Sequence, residues 1–119
     1  MKLDRFPEIE VSVRCDGAAL SEYEDEADPP QDDVVGVRYI EATSGSNFSV
    51  FFRADEFEYG KWPTLCCTVK LDGVAVYNPL FDLSTTRHCS HDLLGAYGFE
   101  DGCAVLKRFT FADLPTSEF

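Results

Sequence analysis

The chain has 119 residues, 45% of them hydrophobic, and 22 acidic against 10 basic residues give it a formal net charge of −12. This length predicts a single domain over residues 1–119, and the apolar fraction is typical of a chain with a packed core. The acidic excess counts against binding to nucleic-acid backbones and to anionic membranes, because like charges repel.

The amino-terminal residues and the cysteines indicate an intracellular protein of the nucleus or cytoplasm. Charged residues interrupt segment 1–7, so it lacks the apolar centre of a secretion signal. No stretch reaches the roughly 18 continuous apolar residues of a membrane span. The five cysteines are odd in number, and Cys66 and Cys67 are neighbours. This pattern favours reduced thiols over a secreted disulfide framework.

Alternation of apolar and polar residues predicts three β-strands in the first half of the chain, near 9–14, 34–42 and 47–54. The second and third strands flank a Gly-containing turn at 43–46, so we expect them to pair as an antiparallel hairpin. The inward face of the second strand would consist of Val35, Val37 and Tyr39.

The second half continues the same pattern. Strands are predicted over 64–71 and 74–77, joined by Asp72-Gly73, and again over about 103–111. Segment 79–102 is less regular: we expect short strands near 81–87 and one helical turn over 91–95 capped by Ser90. Together these elements predict an all-β fold, an antiparallel β-sandwich or jelly-roll-like domain of about seven or eight strands with little helix.

An acidic segment lies between the first two predicted strands. Residues 16–33 contain eight acidic side chains and no basic one, so we expect a mobile loop at about 21–33. Such a loop would attract a basic partner electrostatically, whereas the alternative interpretation is that its charge only keeps the domain soluble. The candidate partner-binding carboxylates are Glu22, Glu24, Asp25, Glu26 and Asp28.

An aromatic loop follows the third predicted strand. Its candidate partner-binding residues are Phe57, Tyr59 and Trp62, which are interleaved with carboxylates. Aromatic rings rimmed by carboxylates suit a lysine or methyl-lysine group, and large aromatic side chains make good interface anchors. The alternative interpretation is that Phe57 and Trp62 cover the end of the core.

Four blocks of sequence, taken in order, resemble a family of fungal proteins built on an uncharacterised β-rich domain of unknown function. The blocks are Val11-Ser12-Val13-Arg14 with Asp16-Gly17, Leu20 and Glu22-Tyr23-Glu24-Asp25; Arg38-Tyr39-Ile40-Glu41-Ala42 with Ser44-Gly45 and Phe48-Ser49-Val50; Val69-Lys70-Leu71-Asp72-Gly73-Val74; and Phe109-Thr110-Phe111-Ala112-Asp113-Leu114. The resemblance implies a fungal source and an intracellular β-sandwich. It implies no catalytic residues.

The two histidines and the cysteine between them are the main candidate metal ligands in the sequence. His88, Cys89 and His91 place three zinc ligand types within four positions, and Cys66, Cys67 or Cys103 could supply a fourth. The spacing matches no known zinc-finger pattern, so a polar loop holding both histidines is the alternative. No nucleophile elbow, phosphate loop or separated catalytic triad is present in the sequence.

These observations predict a non-enzymatic, intracellular protein-interaction module, without cofactor or metal, that captures a protein partner, favouring a basic one. Two alternatives stay open. The domain could self-associate, with Phe51 on the second face of its strand covered by another copy. It could also be a small zinc-binding protein that uses the cluster of His88, Cys89 and His91.

Overall fold

The computed structural model describes residues 1–2, 6–25, 35–54, 64–82 and 89–113. Within these ranges the chain forms ten β-strands and no helix, and hence no helix that could cross a membrane. The strands are β1 (Ile9–Cys15), β2 (Ala18–Ala19), β3 (Asn47–Ala54), β4 (Thr64–Cys66), β5 (Val69–Leu71), β6 (Val74–Tyr77), β7 (Leu80–Asp82), β8 (Cys89–Leu93), β9 (Gly95–Glu100) and β10 (Cys103–Thr110).

Six of the strands form one sheet in the order β2-β1-β3-β10-β9, with β8 also paired to β3. Two smaller ladders, β4–β7 and β5–β6, complete the described strands. Every strand pair is antiparallel. The prediction of an antiparallel all-β fold is therefore confirmed, and the structure has more strands than the sequence pattern indicated.

Strand β3 lies at the centre of the large sheet because both of its edges are paired. One edge pairs with β1 from Ser49 to Ala54. The other pairs with β8 over Val50 to Ala54 and with the last residues of β10 at Asn47 and Phe48. The chain thus leaves β3 after Leu93, forms the β9–β10 hairpin, and returns to β3 at Phe109.

The two faces of this central region have different chemistry, as the alternation of strand side chains requires. One face holds the buried core residues Val50, Leu93 and Phe109. The opposite face is mostly polar, and there Glu10 pairs with Arg53. Phe51 lies on this polar face, and the Arg14 guanidinium carbon stacks 3.6 Å from the centre of its ring.

The two smaller ladders pack over the apolar face of the large sheet. Side chains from β5 and β6 contact the core cluster, among them Val69, Leu71, Val76 and Tyr77. Phe81 of β7 meets Phe52 of β3 edge-on, with ring centroids 5.8 Å apart. The core is therefore enclosed between two layers, and Leu93, at 1% exposure, is its most deeply buried large side chain.

Three Asp-Gly pairs form the tight turns of the hairpins. Asp16, Asp72 and Asp101 have φ angles of 50–53°, and the glycine after each has φ near 79°. Two successive positive φ angles define the type I′ turn, whose twist matches that of paired strands. The structure confirms the hairpin predicted at Asp72-Gly73 and adds one at Asp101-Gly102 that the sequence analysis did not identify.

Three predictions of local structure were wrong. Segment 35–42 does not pair with β3: its backbone pairing is an isolated bridge between Tyr39 and Tyr23, because β1, β8 and β10 occupy the edges of β3. Residues 91–95 form no helical turn, since residues 91–93 belong to β8, which pairs with the distant strand β3, and Gly95 begins β9, which pairs with β10. The predicted strand over 64–71 is also broken into β4 and β5.

Gly95 is the first residue of β9, at the base of the β9–β10 hairpin, and we expect its replacement to destabilise the fold. A Cβ at this position would overlap the backbone carbonyl of Lys107, whereas one at Gly98 would only touch the Val105 side chain at 4.0 Å. Gly95→Ala should lower the free energy of unfolding by about 1–3 kcal/mol, as overpacking does. Gly98→Ala should leave it unchanged or raise it slightly. Urea denaturation of both variants checks this, and equal effects would contradict it.

Candidate functional site

A two-stranded ribbon of irregular backbone lies beside β1 and carries part of the acidic segment. It consists of residues 21–25 and 35–43, which we call the tyrosine ribbon. Tyr23 and Tyr39 exchange two backbone hydrogen bonds of 2.7 Å at its centre. Directly opposite residues of such a pair place their side chains on the same face. Both tyrosines are at the surface, 55% and 45% exposed.

Ion pairs lie on both sides of the Tyr23–Tyr39 pair at the centre of the ribbon. One residue further along on each side, Glu24 Oε1 lies 3.0 Å from Arg38 Nη2. Glu22 Oε1 lies 3.0 Å from the Met1 amino group, which also donates to the Val11 carbonyl. The Glu24–Arg38 ion pair joins the two strands of the ribbon, and the Glu22–Met1 ion pair joins the ribbon to β1 through Met1.

Two grooves border the ribbon. The first, of about 340 Å³, lies between the ribbon and β1, and its lining includes Val11, Val13, Val37 and Ile40. The second, of about 320 Å³, is lined by Leu20, Ser21, Tyr23, Glu41 and Thr43. We call this second one the tyrosine groove. It combines an aromatic ring with a carboxylate, which are the two groups that together suit a cationic side chain.

The structure brings together three of the carboxylates predicted to bind a partner. Glu22, Glu24 and Asp25 all lie on the tyrosine ribbon and are exposed. Glu22 and Glu24 form ion pairs with Met1 and Arg38, which the sequence gave no means of identifying. Glu26 and Asp28 lie outside the described residues.

The aromatic residues at this site differ from those predicted. Phe57, Tyr59 and Trp62 lie outside the described residues. Tyr23 and Tyr39, which the sequence analysis did not propose as binding residues, are exposed beside the carboxylates instead. The predicted inward face of 34–42 is in fact at the surface, since Val35, Val37 and Tyr39 are all exposed. A signal existed for Tyr23, because it is the one aromatic residue within the acidic run.

The His91 side chain lies between the two layers. His91 stacks on Tyr77, with ring centroids 5.1 Å apart, and its ring lies 5.8 Å from that of Phe52. Among the described residues, no three metal-ligating side chains come close enough together to hold an ion. His88 lies outside those residues, so the zinc alternative stays a prediction.

Cys67 has an unusual environment for a thiol. Burial raises its pKa, and the nearby thiols of Cys89 and Cys66 raise it further, because a thiolate at Cys67 would be poorly solvated and next to other thiols that can become negative. The backbone N–H of Cys67 donates to the Pro79 carbonyl at 3.1 Å, which fixes this segment between β4 and β5. A raised pKa lowers the fraction of thiolate, so we expect Cys67 to be poorly reactive.

Comparison with known proteins identified one family. The family model described as "Domain of unknown function (DUF7918)" matches residues 8–119. Neither the curated proteins nor the solved structures gave a match.

The raised pKa of Cys67 predicts slow alkylation. Because the thiolate is the reacting form, Cys67 should react with iodoacetamide more slowly than the exposed Cys66 and Cys103, and its rate should rise only at higher pH. Time-resolved peptide mass spectrometry between pH 7 and pH 10 measures this, with Cys66→Ser and Cys67→Ser to separate the neighbouring thiols. A Cys67 that reacts as fast as Cys103 would contradict the expectation.

Proposed function

The chain belongs to the DUF7918 family of domains of unknown function, and from its own residues we propose that it is a non-enzymatic, intracellular protein-interaction module that binds a basic protein segment. The observation that carries this proposal is the tyrosine groove, in which Tyr23 and Glu41 line one cavity next to the acidic segment. None of the five cysteines forms a disulfide, which supports an intracellular setting, because thiols persist in a reducing compartment.

The tyrosine groove suits the side chain of a lysine or arginine. The face of a tyrosine ring attracts a cation, and the Glu41 carboxylate provides a direct ion-pair partner. A volume of about 320 Å³ admits a side chain of this size but not a folded domain. Tyr39, exposed beside Tyr23, offers a second ring for the next cationic residue of an extended segment.

The negative charge of the chain would attract such a basic partner towards the tyrosine groove. A net charge of −12 attracts basic segments over long range, and this steering is strongest where acidic groups are concentrated. The ion pair of Glu24 does not oppose this, because the Glu24 side chain is 67% exposed and ion pairs of exposed side chains contribute little stability. The tyrosine groove would then provide the affinity for the partner, and the acidic segment would increase the association rate.

Binding of a lysine- and arginine-rich peptide tests the proposal. We expect Tyr23→Ala to weaken it about two- to fivefold, which corresponds to the loss of one exposed cation–π contact. Glu41→Gln should weaken it similarly, and affinity should fall steeply as salt is raised. Fluorescence anisotropy with a labelled peptide, against the same peptide with every cationic residue replaced by glutamine, measures these effects.

Two control variants distinguish binding in the tyrosine groove from general attraction by the negative charge of the chain. Tyr23→Phe keeps the ring and should bind as the parent does. Glu100→Gln removes another exposed carboxylate, at a remote hairpin where it pairs with Lys107 at 3.1 Å, and should have little effect. The proposal fails if the two glutamine substitutions reduce affinity equally, since the attraction would then be unspecific.

A further inference from the structure

The β9–β10 hairpin presents an exposed apolar face. Tyr97 and Phe99 of β9 are 74% and 82% exposed, the highest values among the large hydrophobic side chains of the described residues. On β10, Leu106 lies directly opposite Tyr97 and Ala104 directly opposite Phe99, so all four side chains share this face. The large sheet therefore ends in an aromatic surface that nothing in the described chain covers.

The outer edge of β9 also offers backbone groups that pair with no other described strand. In a hairpin with a two-residue turn, Glu100 and Cys103 form the closing hydrogen-bonded pair, so the N–H and C=O groups of Tyr97 and Phe99 point away from β10. Neither residue has a backbone hydrogen bond to another described element. Tyr97 and Phe99 thus provide both apolar side chains and free backbone groups.

The opposite end of the large sheet is covered, in contrast to β9. The outer edge of β1 is paired along its length: Val11 N–H donates to the Met1 carbonyl at 2.9 Å, and Leu20 N–H donates to the Val13 carbonyl at 2.9 Å. Proteins usually protect sheet edges by covering them or by placing proline or lysine on them. β9 has neither residue, and its one charged side chain, Glu100, is at its end.

We propose that β9 pairs with β9 of a second copy of this chain, antiparallel about a two-fold axis at Gly98, so that the two sheets join edge to edge. This inference is independent of the proposed binding of a basic segment, because it concerns the other end of the sheet. In this register Tyr97 of each copy lies opposite Phe99 of the other. Both residues point their backbone groups outward, so each pair exchanges two hydrogen bonds.

The residues around the axis are self-complementary. Two symmetric Tyr–Phe pairs lie on one face, where cross-strand aromatic pairs stabilise a sheet. Gly98 meets its own copy on the other face and has no side chain to hinder the approach. The hairpin also has no net charge, since Glu100 and Asp101 balance Lys107 and Arg108.

The overall acidity of the chain does not prevent this pairing. The described residues of the acidic segment that carry charge on the ribbon, Glu22, Glu24 and Asp25, lie beside β1, several strands away from β9. Charges separated by more than the Debye length of about 8 Å are largely screened at physiological salt. A second copy therefore fits β9 without bringing the two acidic ribbons together.

The available area indicates a weak, concentration-dependent dimer. The exposed parts of Tyr97 and Phe99 amount to roughly 250–400 Å² per copy, on the basis of about 150–250 Å² for a whole aromatic side chain. Leu106, Ala104 and the paired backbone add to this. A stable interface buries about 800 Å² per partner, so we expect dissociation at micromolar concentrations.

Sedimentation equilibrium of the full chain over about 1 µM to 1 mM tests the proposal. We expect a monomer–dimer equilibrium that Phe99→Lys weakens about tenfold or more, since it removes a central aromatic contact. Val74→Lys replaces a 64% exposed apolar residue on another hairpin and should leave the equilibrium unchanged. Higher salt should strengthen the dimer by screening repulsion between two acidic chains, whereas it should weaken the binding of a basic peptide.

A disulfide at the axis tests the register. A non-hydrogen-bonded pair has Cα atoms about 4.5 Å apart, within the range that a disulfide spans. In a background with Cys66→Ser and Cys103→Ser, Gly98→Cys should form a covalent dimer on mild oxidation with diamide, and Glu100→Cys should not. A monomer throughout, a dimer insensitive to Phe99→Lys, or equal cross-linking of both cysteine variants would overturn the proposal.

Discussion

The pairing of β3 along both of its edges is the constraint on which the rest of the structure depends. One edge holds β1, and the other holds β8 and then the end of β10. Because two separate strands share that second edge, the chain between them must leave β3 and return to it. The β9–β10 hairpin is the result, and Gly95 permits it because no side chain fits against the Lys107 carbonyl.

The same constraint separates the two candidate surfaces. Since the edges of β3 are occupied, segment 35–43 cannot join the sheet there, and it pairs with residues 21–25 instead. This exposes Tyr23 and Tyr39 beside Glu22 and Glu24, at the β1 end of the sheet. The aromatic face of β9 lies at the other end. A domain that dimerised through β9 would present two copies of the tyrosine groove, and bivalent binding of a basic partner would then be stronger than either single contact.

The polar face of the sheet shows why another surface is less suited to association. Phe51 lies there, but the Arg14 guanidinium covers its ring, and Glu10 pairs with Arg53 beside it. Burying this face against a second copy would require these charged groups to lose water. Tyr97 and Phe99 carry no such cost, so an edge-to-edge contact through β9 is favoured over the face-to-face contact that Phe51 first indicated.

Local sequence determined the features that depend on neighbouring residues. Alternation specified β1, β3 and β10, whose observed bounds lie within a residue or so of those predicted, and Asp72-Gly73 specified its hairpin because its two positive φ angles suit a type I′ turn. Composition also identified the acidic character of residues 21–25. Tertiary structure decided which strands pair, that 91–95 is extended, and that Tyr23 and Tyr39 meet at the surface. These outcomes depend on competition among distant segments for the edges of β3, and a local pattern contains no information about which segment wins that competition.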